Sequence, residues 1–195
     1  SGTTTDFDYS SRLGWEDFYR ENIASCAQEL EWHSLIPNEL ITAYCAFAES
    51  VLMIGCGTSR LPDHFLGEAN VTLLDSSPTC IDMLKGRYGD SVSYLCGDAL
   101  NLSVLQQERF NVVLDKGLMD ALLCGEGWDG AVARLLHEAS IVLVDGGIFL
   151  LISYRLPAST KEFLQSCCGS LQWKFDCHVS KDGRESISVA RMVHS

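Results

Sequence analysis

The stretch VLMIGCGTS, residues 51–59, decides the fold. Its four leading apolar residues are typical of a strand that is buried on both faces. Gly55 and Gly57 then permit a tight turn into a helix. Similar apolar runs recur downstream, at residues 71–74, 92–95, 112–114 and 148–152. Helix-like segments lie between the runs, at residues 60–67, 78–88, 119–124 and 129–143. This alternation predicts a parallel sheet with right-handed crossovers.

The two ends of the chain have other patterns. Residues 11–49 show mainly helical spacing of apolar residues, and Pro37 is well placed to open the last of these helices. Near the other end, LQWKFDCHVS (171–180) and ESISVARMVH (185–194) flank the turn signal Asp182-Gly183. This arrangement predicts an antiparallel pair of strands.

The predicted fold class is therefore α/β, a doubly wound, mostly parallel seven-stranded sheet. An N-terminal helical extension precedes the sheet, one more helix follows Pro157, and an antiparallel hairpin ends it. We expect a single domain over residues 1–195, in which helices of residues 1–49 cover a site on the core formed by residues 50–195. A chain of 195 residues suits one domain with a sizeable core.

Composition narrows the class of protein. Apolar residues make up 47% and charged residues 21%, both ordinary for a soluble globular domain. The net charge of −12 repels phosphate backbones, which disfavours a nucleic-acid partner, and attracts basic molecules or basic protein segments. Apolar runs fall short of the roughly 18–20 residues that a membrane span needs, so we expect no membrane partner.

The expected compartment is the cytoplasm. Nine cysteines occur without a Cys-x-x-Cys pair, and Cys45, Cys56 and Cys96 lie within apolar runs. They resemble small buried hydrophobic residues in a reducing compartment. No histidine has ligand-like spacing to a cysteine, so we expect no metal site. A mitochondrial location stays open, because the initial Ser-Gly resembles a cloning scar that replaces a natural leader.

Ligands of open parallel sheets bind at the carboxyl ends of the strands. Asp75 ends the second strand about 20 residues after the glycine turn, where an acidic side chain can accept hydrogen bonds from a ribose diol. The alternative is that Asp75 caps the helix that Pro78 opens. Ser76 or Ser77 can cap that helix instead, so we favour ribose binding for Asp75.

Asp98 and Asp115 end the next two strands. Asp98 can accept a hydrogen bond from the exocyclic amine of adenine. The alternative is that Asp98 is an ordinary turn residue. Arg60 replaces the third glycine of the dinucleotide fingerprint, which disfavours an NAD-dependent oxidoreductase. S-adenosylmethionine (SAM) fits a carboxylate-rimmed site, because it combines an adenosine, a sulfonium and an ammonium with no pyrophosphate.

The chain resembles the class I SAM-dependent methyltransferases over about residues 12–153. VLMIGCGTS, TLLDSSP and CGDAL are similar to motifs of that family. VVLDKGLMDALL resembles the Asp/Glu-Lys-Gly-Thr-x-Asp-Ala motif of the group that includes the lysine methyltransferases of eukaryotic elongation factor 1A and of mitochondrial citrate synthase. WEDFYRE and EWHSL resemble that group's Trp-x-x-x-Tyr motif and its Asp-Trp-Phe element.

The resemblance implies a set of residues that contact the cofactor: Trp15, Tyr19, Trp32, Gly55, Gly57, Asp75, Ser76, Asp98, Ala99 and Lys116. Core packing is the alternative for the two tryptophans. Three positions depart from the group's pattern, since Leu118 replaces Thr, Ser76 replaces an aromatic residue and Glu31 replaces Asp.

Methyl transfer to an amine is an in-line displacement that needs no stabilised anion, so positioning and water exclusion can supply most of the acceleration. We therefore assign no obligate general base. Asp115 and Asp120 are candidates to orient the acceptor amine, although Asp120 also suits the first turn of a helix. The predicted function is methyl transfer from SAM to a lysine of a protein. The alternatives are a small-molecule methyltransferase and a non-catalytic interaction module.

Overall fold

The computed structural model describes residues 7–22 and 31–193. Within these residues seven strands form one sheet: β1 (Ser50–Ile54), β2 (Asn70–Asp75), β3 (Ser93–Cys96), β4 (Phe110–Lys116), β5 (Leu143–Tyr154), β6 (Leu171–Val179) and β7 (Glu185–Met192). Their order across the sheet is β3-β2-β1-β4-β5-β7-β6. Strands β1 to β5 pair in parallel, and β7 runs antiparallel to both β5 and β6. The predicted fold class is confirmed.

Six α-helices lie in the described residues: α1 (Arg12–Glu21), α2 (Asn38–Tyr44), α3 (Pro78–Tyr88), α4 (Leu118–Leu123), α5 (Trp128–Val142) and α6 (Ala158–Cys167). Short 3-10 turns occupy Leu61–Phe65, Gly89–Ser91 and Ser103–Leu105. Alternate strand residues face two separate cores, as the side-chain period of a strand requires. Val51 and Met53 pack with residues of α1, α2 and α3, whereas Leu52 and Ile54 pack with residues of α5 and α6.

Some predicted elements differ from the observed ones. Within residues 60–67 only Leu61–Phe65 are helical, as a short 3-10 turn and not an α-helix, because the backbone becomes extended at Leu66. Of the helical stretch predicted over residues 11–49, the described part contains α1, a turn segment and α2, and residues 23–30 lie outside the described residues. Cys96 is exposed, because it ends the edge strand β3, so the prediction that it is buried is wrong.

Cys45 is a buried free thiol and Cys56 is a partly buried one. Among the helices of residues 7–22 and 31–193, none combines the length and the apolarity that a membrane crossing demands.

Strand register brings the carboxyl ends of three strands to one edge. Ile54 at the end of β1 is paired with Leu74 on one side and with Asp115 on the other. The chain leaves β1, β2 and β4 at this edge, so Gly55, Asp75 and Lys116 emerge close together.

Helix α1 is attached above this edge by a carboxylate. The Glu16 side chain accepts hydrogen bonds from the Ser77 hydroxyl at 2.5 Å and from the Thr79 hydroxyl at 2.6 Å, both at the start of α3. A carboxylate at a helix N-terminus is also favoured by the helix dipole. Glu16 therefore couples α1 to α3.

We expect Glu16→Ala to destabilise the protein by about 1.5–3 kcal/mol, the range for hydrogen bonds to a charged group. The matched control is Asp17→Ala, which removes a neighbouring carboxylate that is 64% exposed and has an expected effect within about 0.5 kcal/mol. Urea unfolding measures the loss, and hydrogen exchange should show that protection falls first in residues 12–21. Equal losses in the two variants would contradict the coupling.

Candidate active site

A cavity of about 570 Å³ opens at the carboxyl edge of the sheet, beneath α1 and beside α4. Its size is within the range of small-molecule sites. All ten residues that the sequence resemblance assigns to the cofactor line this cavity. Asp120 lines it as well. The structure thus brings together residues that are up to a hundred positions apart in the sequence.

The turn after β1 requires glycine at two positions. Gly55 and Gly57 have φ angles of +54° and +53°, in the left-handed region that side chains disfavour. A Cβ atom at Gly55 would lie 2.9 Å from the Cβ of Leu118, and one at Gly57 would lie 2.9 Å from the Tyr19 hydroxyl. Leu118, which stands where the related group has Thr, therefore packs directly on the turn.

Asp75 is nearly buried at the end of β2, and its carboxylate accepts hydrogen bonds from the N–H groups of Gly57 and Ser77, each at 3.0 Å. Burial raises the pKa of Asp75, and these N–H groups oppose the shift. The Ser77 hydroxyl accepts from the Cys80 N–H and caps α3, so Asp75 does not have to serve as that cap. A carboxylate has about four acceptor sites, which leaves capacity toward the cavity.

Asp98 faces the cavity after β3, and it accepts a hydrogen bond from the Leu100 N–H at 2.9 Å. Its other oxygen lies 3.0 Å from the Arg12 guanidinium of α1. The sequence reasoning missed Arg12, because nothing in the local pattern links two residues 86 positions apart. The pair is solvent-accessible and contributes little to stability, about 0–1 kcal/mol, so a ligand can displace Arg12 at small cost.

Lys116 ends β4 as a nearly buried ammonium. It lies 2.7 Å from Glu31 and 3.3 Å from the Asn38 side-chain oxygen. Burial pushes the pKa of Glu31 up, but the Lys116 ammonium and the Arg60 N–H outweigh it, so the pKa of Glu31 is lowered. Glu31 thus remains charged beside Lys116 and neutralises it.

Aromatic side chains of the N-terminal region form one wall of the cavity. The indole N–H of Trp15 donates to the Tyr9 carbonyl at 2.9 Å, and its ring meets the Trp32 ring edge-on with centroids 6.0 Å apart. Trp32 is 37% exposed and Trp15 is partly buried against the edge of the core. Both tryptophans line the cavity, so core packing alone does not account for them.

The two candidate acceptor-orienting residues differ in position. Asp115 is fully buried, and its carboxylate accepts hydrogen bonds from the Leu118 N–H at 2.8 Å and the Met119 N–H at 3.0 Å. It thereby satisfies the start of α4 and is not among the described residues that line the cavity. Burial, together with the nearby Asp120 carboxylate, raises the pKa of Asp115 to about 8. Of the two candidates, Asp120 faces the cavity.

Two further residues at this end of the cavity were not among the predicted site residues. His33 and Tyr154 line the cavity beside Asp120, and the Tyr154 N–H donates to Asp120 Oδ1 at 3.3 Å. No sequence pattern marks Tyr154, because its position at the cavity depends on where β5 ends. His33 has no ligand-like spacing to a cysteine, and no other sequence pattern marks it.

A model of the family described as "Methyltransferase domain" matches residues 51–147. The structure is similar to a TehB-like SAM-dependent methyltransferase from Corynebacterium glutamicum, with a TM-score of 0.65 and 15% identity over 93% of this chain and 97% of the other. It is also similar to the N-methyltransferase NodS from Bradyrhizobium japonicum in complex with S-adenosylhomocysteine (SAH), with a TM-score of 0.62 and 16% identity over 90% and 98% of the chains. Residues 51–147 therefore carry a methyltransferase domain, and the fold of the described residues is that of SAM-dependent methyltransferases.

Curated relatives narrow the comparison within that family. The mouse eEF1A lysine and N-terminal methyltransferase is 30% identical over 94% of this chain and 27% of its own length. The mouse EEF1A lysine methyltransferase 4 is 31% identical over 78% of this chain and 64% of its own length. The chain therefore spans about a quarter of the first relative and somewhat under two thirds of the second. The group resemblance stated from the motifs is confirmed.

We expect Gly57→Ala to weaken SAH binding at least tenfold, about 1.4 kcal/mol, because the new Cβ meets the Tyr19 hydroxyl in a turn with positive φ. The matched control is Gly67→Ala, which imposes a positive φ of +81° on alanine where no atom lies within 4 Å of the new Cβ. It should destabilise the fold slightly and leave SAH affinity unchanged. Isothermal titration calorimetry measures the SAH affinity of each variant, and equal affinities would contradict this account.

Asp115→Asn tests the buried carboxyl through the pH dependence of stability. The native state holds this proton up to about pH 8, whereas an unfolded Asp loses it near 3.8. The unfolded state thus binds fewer protons between these values, and this group makes the free energy of unfolding fall as pH rises. We expect the variant to lack that fall in urea unfolding between pH 4 and 8. Parallel wild-type and variant curves would disprove the raised pKa.

Proposed function

We propose that this chain transfers a methyl group from SAM to a lysine side chain of a protein. The observation that carries the proposal is the charge of the cavity. Three carboxylates face it, Asp75, Asp98 and Asp120. The described cations that line it are each ion-paired to a carboxylate, Arg12 to Asp98, Lys116 to Glu31 and Arg155 to Asp176.

Such a cavity suits a cationic cofactor and a cationic acceptor. SAM brings a sulfonium and an ammonium, and lysine brings a second ammonium. A dinucleotide would place a pyrophosphate among these carboxylates with no unpaired cation in the described lining to meet it. Electrostatic complementarity of this kind favours the correct ligand mainly by excluding wrong ones.

Each predicted cofactor residue receives a role in the proposal. Asp75 and Ser76 accept hydrogen bonds from the ribose hydroxyls, and Asp98 and Ala99 contact the adenine. Gly55 and Gly57 let the cofactor approach the backbone of the β1 turn. Trp15, Tyr19 and Trp32 cover the cofactor from the N-terminal side. Lys116 positions this N-terminal segment through its ion pair with Glu31.

The reaction is an in-line displacement. The lone pair of the neutral acceptor amine attacks the methyl carbon, the carbon–sulfur bond breaks, and its electron pair stays on sulfur. The sulfonium becomes the neutral thioether of SAH, while the acceptor becomes a methylated ammonium. Because charge is transferred and none is created, the protein accelerates the step by aligning the two partners and removing water. Asp120 orients the acceptor nitrogen toward the methyl group.

The acceptor we propose first is elongation factor 1A. Two relatives are named as methyltransferases of eEF1A, and their matches cover 94% and 78% of this chain. A cytoplasmic location agrees with the free thiols of Cys45, Cys56 and Cys96, since disulfides are rare in reducing compartments.

The test incubates the protein with methyl-labelled SAM and either purified elongation factor 1A or a whole-cell lysate. We expect label on protein, and mass spectrometry should place it on lysine. Asp75→Ala should reduce transfer at least 10²-fold, because it removes the ribose acceptor and its two backbone contacts. Asp90→Ala, at an exposed carboxylate remote from the cavity lining, should transfer normally.

Two outcomes would overturn the proposal at different levels. Label that appears on small metabolites and never on protein would refute the protein acceptor while keeping the methyltransferase. Absence of any transfer, together with no rise in melting temperature on addition of SAH, would favour a non-catalytic module.

A further inference from the structure

His33 is a buried imidazole placed between two carboxylates from distant parts of the chain. Its side chain is 1% exposed. Asp120 Oδ2 of α4 lies 2.7 Å from Nε2, and Glu185 Oε1 at the start of β7 lies 3.6 Å from Nδ1. The ring also meets the Tyr154 ring of β5 edge-on, with centroids 4.8 Å apart. A Cβ atom at Gly117, in the turn before α4, would lie 3.7 Å from the ring, and the buried Asp115 of β4 interacts electrostatically with Asp120.

Several buried polar atoms of this cluster lack the hydrogen bonds that a purely structural network would make. Neither ring nitrogen of His33 has a hydrogen-bond partner within the described residues, and neither has Asp120 Oδ2, although Nε2 and Oδ2 are only 2.7 Å apart. Buried polar groups without hydrogen bonds are uncommon and costly. The arrangement therefore points to a ligand or a transferred proton that completes it.

The backbone at His33 is also strained. Its φ of +54° is in the left-handed region, which is uncommon for residues other than glycine. Strain of this kind is concentrated at functional sites. This observation favours a chemical role for the ring over a structural one.

The residues of this cluster lie in a row that begins at the cavity and ends in the protein interior. Asp120 and His33 line the cavity, whereas Glu185 does not and is held behind the ring by a hydrogen bond from the Leu35 N–H at 3.1 Å. Asp120 is thus the group that an acceptor nitrogen meets, and His33 is the group that Asp120 meets. Glu185 offers a negative charge to the far side of the ring.

We propose that His33 is the proton acceptor of the reaction, acting through Asp120 and supported by Glu185. The inference rests on the proposed function, because a lysine acceptor has an ordinary pKa near 10.4 and must lose a proton before it can attack. The ammonium gives its proton to the Asp120 carboxylate, which passes it to Nε2 of His33. The neutral amine then displaces SAH from the methyl group, and the imidazolium returns its proton to water when the product leaves.

Histidine suits this task because its titration normally lies in the physiological range. The Glu185 carboxylate, 3.6 Å from Nδ1, stabilises the imidazolium through its charge. His33 touches the acceptor only through Asp120, so it is a positioning residue with a proton-accepting function.

The test compares His33→Phe with the wild type by the initial rate of label transfer from SAM between pH 6.5 and 9. At pH 7.5 the variant should be about 10²-fold slower, in the range of general base catalysis. The deficit should shrink about tenfold for each pH unit, since the acceptor increasingly loses its proton to solvent. SAH affinity should stay within twofold. The control His137→Phe changes an exposed histidine of α5 and should keep the wild-type profile.

A second variant keeps the inference testable if His33→Phe folds poorly. Glu185→Gln retains an oxygen for the Leu35 N–H and removes the charge behind the ring, so it should also shift the rate profile toward higher pH. If either variant loses the same factor at every pH, or none, His33 is structural and the inference fails. If the wild type labels neither elongation factor 1A nor any lysate protein, the proposed function itself fails, and the inference fails with it.

Discussion

The ion pair between Lys116 and Glu31 is the constraint on which the rest of the site depends. An ammonium at the end of a central strand is costly to bury, and a partner at 2.7 Å with further hydrogen bonds is what makes it tolerable. Glu31 also accepts from Ser59 and from the Arg60 N–H. A single carboxylate thus joins the N-terminal segment, the turn after β1 and the end of β4. Loss of either partner would leave the other unpaired, at a cost of about 3–5 kcal/mol.

Acidic side chains serve three different purposes around this cavity. Glu16 and Glu31 attach the N-terminal elements, Asp115 satisfies the start of α4, and Asp75 and Asp98 face the place of the cofactor. The net charge of −12 therefore has a local meaning as well as a global one. Several carboxylates at one sheet edge repel each other, and backbone N–H groups and paired cations keep them there.

The sequence predicted the sheet well, and the residues that it assigns to the cofactor line one cavity, because both sets follow from local patterns. Apolar runs, glycine turns and strand-end acids are read from neighbouring residues, and parallel topology then brings the strand ends together. Arg12, His33 and Tyr154 could not be found in this way, since their roles depend on contacts across the fold. Asp115 and Asp120 look alike in sequence, yet one faces α4 and the other the cavity, because a helix begins between them.

The insertion of β7 between β5 and β6 has a consequence for how the protein is made. Glu185 reaches His33 from the start of β7, so the acceptor end of the cavity joins parts of the chain that are synthesised far apart in time. On the ribosome, the N-terminal segment and strands β1 to β5 can form while β7 is still absent. Long-range pairing of this kind is slow to form. The cavity lining can therefore assemble first, and Glu185 reaches the far side of His33 last.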